Sequence, residues 1–201
     1  YRLAYQEARQ VVDCIRRFTP AGGPTMFTAD ELGAGRVFLA TSDGDLVMEN
    51  NFRLSLRLLD WCTATQTPFI YASSAATYGE GHEGFSDDWS LAALQKLKPM
   101  NLYGWSKHLF DLALVDRVVK KQKLPPQWAG LKFFNVYGPN EYHKGHMASV
   151  LSKVFAGAKG GAPVKLFKSH RDGIGDGEQR RDFIYVDDVV AVIRWLIDTP
   201  K

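Results

Sequence analysis

The chain has 201 residues, is 45% hydrophobic and 23% charged, and carries a net charge of +3, the proportions of an ordinary globular domain rather than of a disordered or fibrous chain. Its basic residues are dispersed rather than clustered on one stretch, which argues against a nucleic-acid partner, and no apolar run approaches the ~20 residues of a membrane span. Cys14 and Cys62 are too few and too far apart for a disulfide framework or a metal site, and the N-terminus lacks the basic-then-apolar plan of a signal peptide, so a cytoplasmic, reducing compartment is expected.

Residues 1–18 read as an amphipathic helix, with Leu3, Val11, Cys14, Ile15 and Phe18 near helical spacing, stopped by Pro20-Ala21-Gly22-Gly23-Pro24. Residues 36–40 suggest a short strand. A second helix is predicted from 45 to about 65, with Leu46, Leu54, Leu56, Leu58, Leu59 and Trp61 as its apolar positions. Residues 68–72 then read as a buried strand that leaves Ser73 and Ser74 at its carboxyl end, where open parallel sheets bind their ligands. The polar stretch 79–99 is predicted as a loop, and loops of that length are often functional.

The next helix is predicted over 101–121, with Leu109, Phe110, Leu112, Leu114, Val115 and Val118 available to a core and Pro125-Pro126 ending the connection. Residues 128–134 read as a strand closing on Asn135-Val136-Tyr137-Gly138-Pro139. A polar loop with His143, Lys144 and His146 leads to a helix at about 147–158, a strand at 164–167, and a glycine-rich charged loop at 168–180. A strand at 182–186 and a helix at 187–198 complete the pattern. Strands alternating with helices of this length predict α/β units on a parallel sheet.

Within that frame the chemistry gathers at Tyr103-Gly104-Trp105-Ser106-Lys107. A tyrosine and a lysine four apart share one helix face, and the lysine cation favours the phenolate. Tyr103 is therefore a candidate proton-transfer group, and the Ser74 hydroxyl a partner for the same substrate oxygen. The same spacing is also frequent on ordinary helices. A dinucleotide-binding sheet should open with a glycine-rich turn after its first strand, yet Gly33-Ala34-Gly35 precedes an apolar run instead of following one. Gly173, Gly175 and Gly177 lie in a polar loop, where Asp172 and Asp176 lack the ligand alternation of a calcium site. His143 and His146 have no third ligand to make a zinc site.

Three spaced segments carry a resemblance: Ser73-Ser74-Ala75-Ala76-Thr77-Tyr78-Gly79, Tyr103 to Lys107, and Phe134-Asn135-Val136-Tyr137-Gly138-Pro139. Together they resemble the extended short-chain dehydrogenase/reductases that act on nucleotide sugars. His143-Lys144-Gly145-His146-Met147-Ala148-Ser149-Val150 and Arg181-Asp182-Phe183 narrow this to the ADP-L-glycero-D-manno-heptose 6-epimerase family. The resemblance spans about residues 42–198. It implies a Rossmann-type doubly wound parallel sheet, truncated at its N-terminal strands and in its C-terminal substrate-binding region. Residues 1–40 form an unmatched segment, and 41–201 a partial epimerase domain with the start of its substrate-binding portion.

The resemblance further implies an isomerase of lipopolysaccharide inner-core heptose synthesis. It would invert C6″ of ADP-heptose by transient oxidation and reduction with bound NADP, NAD being the alternative cofactor. Tyr103 and Lys144 would each serve one face of the sugar, Ser74 would polarise the same oxygen, and Lys107 would hold the cofactor ribose. Asn50, Val136 and Lys144 fall at cofactor positions. Asn135, His146, Lys153, Phe167, Lys168, Ser169, His170 and Arg181 fall at substrate positions, with the Arg181 guanidinium fork suited to a diphosphate. Read without the resemblance, Lys144 is more readily a solvated loop cation, and Asn135 a turn cap. The rival readings are a nucleotide-sugar 4-epimerase or 4,6-dehydratase, and an inactive nucleotide-binding fragment. A homo-oligomer at full length, with no membrane partner, is expected.

Overall fold

The computed structural model describes residues 44, 47–169 and 172–199, apart from the side chains of Tyr142, His146 and Met147. The predicted helix at 1–18, the strand at 36–40 and the Gly33-Ala34-Gly35 segment lie outside the described residues, as does His170. The chain forms two compact units that divide between Lys132 and Phe133.

In the first unit a π-helical turn, Glu49–Arg53, runs directly into helix α1, Leu54–Thr65. Met48, Phe52, Leu59 and Cys62 recur at helical spacing and are all buried, so one face of this element supplies a core wall. The helix stops at Gln66, whose left-handed backbone (φ 53°) reverses the chain. Strand β1, Phe69–Ser74, runs two residues beyond its predicted end, and a 3₁₀ turn, Ala75–Tyr78, follows it. The predicted 79–99 loop contains a short helix α2, Leu91–Leu94, because Ser90 caps it by accepting from the Ala93 N–H.

Helix α3, Leu102–Val119, is the centre of this unit, and strand β2, Trp128–Phe133, pairs beside β1. A helical crossover of this length is the connection that parallel neighbours require. Two apolar clusters share α3. Trp105, Leu109, Phe110 and Leu114 pack with Phe69 and the buried side chains of α1. Leu112 and Val115 pack with Tyr78, Leu94 and Leu97. Each such side chain contributes about 2 kcal/mol on burial, so α3 is held by its surroundings rather than by helix propensity.

In the second unit strand β3, Asn135–Tyr137, pairs in parallel with β4, Phe183–Tyr185, with Val136 opposite Ile184. The 3₁₀ turn Tyr142–Met147 precedes helix α4, Val150–Lys159, and β4 leads into helix α5, Val186–Asp198. Helix α4 starts later than predicted because Ser149 caps it, accepting from the Ser152 N–H at 3.1 Å. The predicted strand at 164–167 does not form. Leu166 and Phe167 are exposed there, and the Phe167 carbonyl closes a loop by accepting from the Gly177 N–H at 2.9 Å. The α/β class expected from the alternation holds. Among the described residues no helix is long and apolar enough to cross a membrane.

Candidate active site

The cap of α3 sets where its side chains emerge. Asn101 Oδ1 accepts from the Gly104 N–H at 2.8 Å, which starts the helix at Leu102 and puts Tyr103 in the first turn, with Lys107 one turn on. The Lys107 ammonium stands 5.9 Å from the centroid of the Tyr103 ring. Tyr103 is 45% exposed although it lies on the most buried helix of the unit. Neither its hydroxyl nor the Lys107 ammonium has a hydrogen bond or ion pair among the described residues. Partial burial holds the Lys107 pKa below the ordinary lysine value, and the Asp111 charge one turn further on opposes that shift.

Ser74 closes β1 in extended backbone (φ −154°, ψ 145°) and is buried. Its Oγ accepts from the Ala76 N–H at 3.1 Å, so the hydroxyl proton remains free to donate. The first turn of α3 rests directly on the turn that Ser74 caps. A Cβ at Gly104 would lie 2.8 Å from the Ala76 carbonyl oxygen and 2.9 Å from Pro99 Cβ, which only glycine avoids. The two segments singled out from sequence, Ser74 and Tyr103–Lys107, are thus brought against each other through backbone contact. Ser106 Oγ donates to the Tyr103 carbonyl at 2.7 Å and accepts from Asn51 Nδ2 at 3.2 Å. Asn50 is exposed on the π-helical turn, and its neighbour Asn51 is the residue that reaches α3.

Beneath these groups lies a polar cluster that the sequence reading passed over. The buried Asp111 carboxylate accepts from Tyr71 OH at 2.8 Å, from Ser73 Oγ at 2.7 Å and from Lys132 Nζ at 2.8 Å. Lys132 also donates to Thr77 Oγ1 at 2.7 Å, and Thr77 Oγ1 donates to the Ser74 carbonyl at 2.8 Å. Burial, reinforced by Asp111, pushes the Tyr71 phenol far above the ordinary tyrosine value, so it is a fixed donor rather than an acid–base group. Two signals pointed here: Asp111 continues the Tyr103, Lys107 stripe by another four residues, and Tyr71 and Ser73 alternate on one face of a strand. His108, on the same helix, is fully buried with no hydrogen-bond partner for either ring nitrogen among the described residues, and burial pushes its pKa down to about 4.

The second unit carries the remaining predicted residues. Asn135 donates from its backbone N–H (3.2 Å) and from Nδ2 (2.9 Å) to the Asp182 carbonyl, the turn-capping role open to it from sequence. Val136 is partly buried in the β3–β4 ladder. Lys144 lies in the 3₁₀ turn with its ammonium 3.3 Å from Glu141 Oε2. Its neighbour Gly145 takes φ 50°, ψ −120°, a left-handed conformation that favours glycine and turns the chain back toward α4. His146 lies in this turn, and Lys153 is exposed on α4. Phe167 and Lys168 are exposed in the loop. Ser169 and Arg181, predicted separately, line one cavity of about 640 Å³ with Arg180 and Glu178. Arg181 has no ion pair among the described residues, and its Nη1 donates to the Arg180 carbonyl at 3.1 Å.

Residues 32–201 match the model of the NAD dependent epimerase/dehydratase family. The chain is 50% identical over 156 residues to ADP-L-glycero-D-manno-heptose-6-epimerase of Fusobacterium nucleatum subsp. nucleatum, covering 78% of this chain and 46% of that protein. It is 51% identical over 158 residues to the protein of the same name from Nitratidesulfovibrio vulgaris, covering 79% and 47%. The crystal structure of Helicobacter pylori ADP-L-glycero-D-manno-heptose-6-epimerase superposes with a TM-score of 0.57 at 32% identity, over 75% of this chain and 43% of that one. The chain spans about half the length of the curated relatives it matches. It belongs to the NAD dependent epimerase/dehydratase family.

Proposed function

We propose that this chain carries the acid–base centre of an epimerase that inverts C6″ of ADP-glycero-manno-heptose with NADP as its cofactor. The observation that carries the reading is the Tyr103–Lys107 pair. A half-exposed phenol and an ammonium share one helix face with no competing partners among the described residues, against the turn that presents the Ser74 hydroxyl. These groups suit a nicotinamide cofactor, because a lysine with three uncommitted donors can bind ribose hydroxyls.

When bound, the cofactor supplies reversible hydride acceptance at C6″. The chain's own residues handle the proton and the oxygen. Ser74 donates a hydrogen bond to the C6″ oxygen, and Tyr103 as phenolate takes the hydroxyl proton as the carbon becomes a planar ketone. Inversion requires a proton source for the opposite face of that ketone, and Lys144 fills this role. Lys107 keeps Tyr103 beside a positive charge and holds the cofactor ribose. Arg181, with Ser169 and the cavity they line, binds the diphosphate end of the nucleotide, and Val136 and Asn50 contact the cofactor. Asn135, His146, Lys153, Phe167, Lys168 and His170 complete the substrate contacts.

The relatives' shared name supports the substrate class. The test is Tyr103→Phe in the protein at the length of its relatives, assayed for ADP-heptose epimerisation. Loss of a proton-transfer group lowers kcat by about 100-fold or more. Turnover equal to wild type would remove Tyr103 from the chemistry. In the same assay Lys144→Ala tests the second base, since undisturbed C6″ inversion removes the two-base reading.

A further inference from the structure

We propose that Asp111 is a positioning residue, which acts through Lys132 and Thr77 to hold the Ser74 turn in register with Tyr103. This rests on the epimerase reading for its catalytic consequence, and on geometry alone for the register.

Three elements must agree for Ser74 and Tyr103 to address one oxygen atom. Ser74 ends β1, Tyr103 begins α3, and β2 runs beside β1. Asp111 is where the three are tied. It sits on α3 two turns from Tyr103, and its Oδ2 takes Ser73 Oγ, the residue adjoining Ser74, at 2.7 Å. The same oxygen takes Lys132 Nζ from β2 at 2.8 Å. Lys132 passes the connection to Thr77 Oγ1 at 2.7 Å, and Thr77 to the Ser74 carbonyl at 2.8 Å. Ser74 is therefore gripped from both sides, by its neighbour's hydroxyl and by its own carbonyl.

The environment makes the grip stiff. Ser73, Thr77 and Asp111 are all buried and all have their hydrogen bonds met, so no member can swing without leaving a buried polar group unpaired. A plain structural ion pair would have no need of Thr77. The link from Lys132 onward to the Ser74 carbonyl is what aims this cluster at the site.

The test uses two variants of the protein at the length of its relatives. Thr77→Val keeps the side chain's shape, deletes both of its bonds and leaves the Asp111–Lys132 pair in place. Asp111→Asn removes the charge and one acceptor at the hub. Mispositioning of a catalytic hydroxyl predicts kcat down about tenfold in Thr77→Val and about 100-fold in Asp111→Asn, with KM for the nucleotide sugar within about twofold. Lys132→Arg, which keeps a cation with several donors, retains about tenfold more kcat than Lys132→Met. Independently of any substrate, the Ala76 amide, which donates to Ser74 Oγ, exchanges its hydrogen about tenfold faster in Thr77→Val.

Wild-type kcat or unchanged Ala76 exchange in Thr77→Val overturns the proposal, as does a loss carried by KM rather than kcat. If Asp111→Asn fails to fold, Thr77→Val alone decides. If the unmutated protein inverts no ADP-heptose while Ala76 exchange still accelerates in Thr77→Val, the epimerase reading fails and the positioning assignment stands.

Discussion

The Lys144 ammonium lies 3.3 Å from the Glu141 carboxylate, and that carboxylate is the closure of the loop which carries the lysine. Glu141 accepts from Ser149 Oγ at 2.8 Å, the Ser149 N–H at 2.9 Å and the Gly138 N–H at 3.2 Å. It thereby joins the residue after β3 to the cap of α4, and Lys144 rides on the turn between them. The two Ser149 bonds, followed by those from Gly138 and Lys144, hold the Glu141 carboxyl down at about 2.

Replacing Glu141 with Gln keeps the shape, turns one acceptor into a donor and frees Lys144. On the epimerase reading, turnover of ADP-heptose by the protein at the length of its relatives is expected to fall about tenfold as the lysine loses its fixed position. A group whose folded pKa is depressed contributes stability above its unfolded value, and that contribution is lost as pH falls through the folded one. The unmutated chain therefore loses stability from the ordinary carboxylate range, near 4.5, down toward 2. Glu141→Gln lacks this component. Urea unfolding of both proteins at pH 7 and pH 3 measures it, and parallel losses in the two would contradict the assigned role.

His108 gives a second pH dependence at milder acidity. It is buried, with both ring nitrogens unpartnered among the described residues, and its pKa lies at about 4 against the usual 6.5. The folded state thus holds a neutral imidazole where the unfolded chain binds a proton. Stability is fully present above 6.5 and is lost as pH falls from there through 4. The whole shift is worth about 3 kcal/mol. His108→Leu removes the titration and fills similar space, so its stability should stay nearly level between pH 7 and pH 4 relative to the parent. Equal slopes for the two proteins would mean that His108 does not titrate with folding.

What could be read without coordinates was the local part of this site. The Tyr103–Lys107 face and Ser74 at a strand end follow from helical and strand periodicity, and the structure places each where that periodicity put it. Asp111, Lys132 and Thr77 escaped because their partnership depends on which faces of β1, α3 and β2 meet. In the chain itself Asp111 continues the Tyr103, Lys107 stripe, but nothing there names its partners. The Asn50–Asn51 pair shows how narrow the margin is. One residue rotates a helical side chain by about 100°, enough to leave Asn50 in solvent and send Asn51 to Ser106. Residues 164–167 fail for a different reason. Val164 and Leu166 alternate as a strand would, but the Phe167 carbonyl accepts from the Gly177 N–H and the Ser169 N–H donates to Asp176 Oδ1, which closes a loop instead of a ladder.

The last prediction concerns Gly104, inside the Tyr103–Lys107 segment. On an isolated helix Gly104→Ala would be stabilising by about 1 kcal/mol, because glycine is a poor helix former. Here the new methyl would meet the Ala76 carbonyl oxygen at 2.8 Å and Pro99 Cβ at 2.9 Å. The first of these is backbone and has little room to move. Overpacking of this kind costs about 1–3 kcal/mol, so the clash outweighs the propensity gain and the variant should be less stable by up to about 2 kcal/mol in urea melts. Relief comes by moving the first turn of α3 away from the turn that Ser74 caps, which separates Tyr103 from Ser74. Turnover is therefore expected to fall about tenfold or more, beyond any loss of folded protein. A Gly104→Ala protein with unchanged kcat would show that the close approach of α3 to Ala76 serves packing alone.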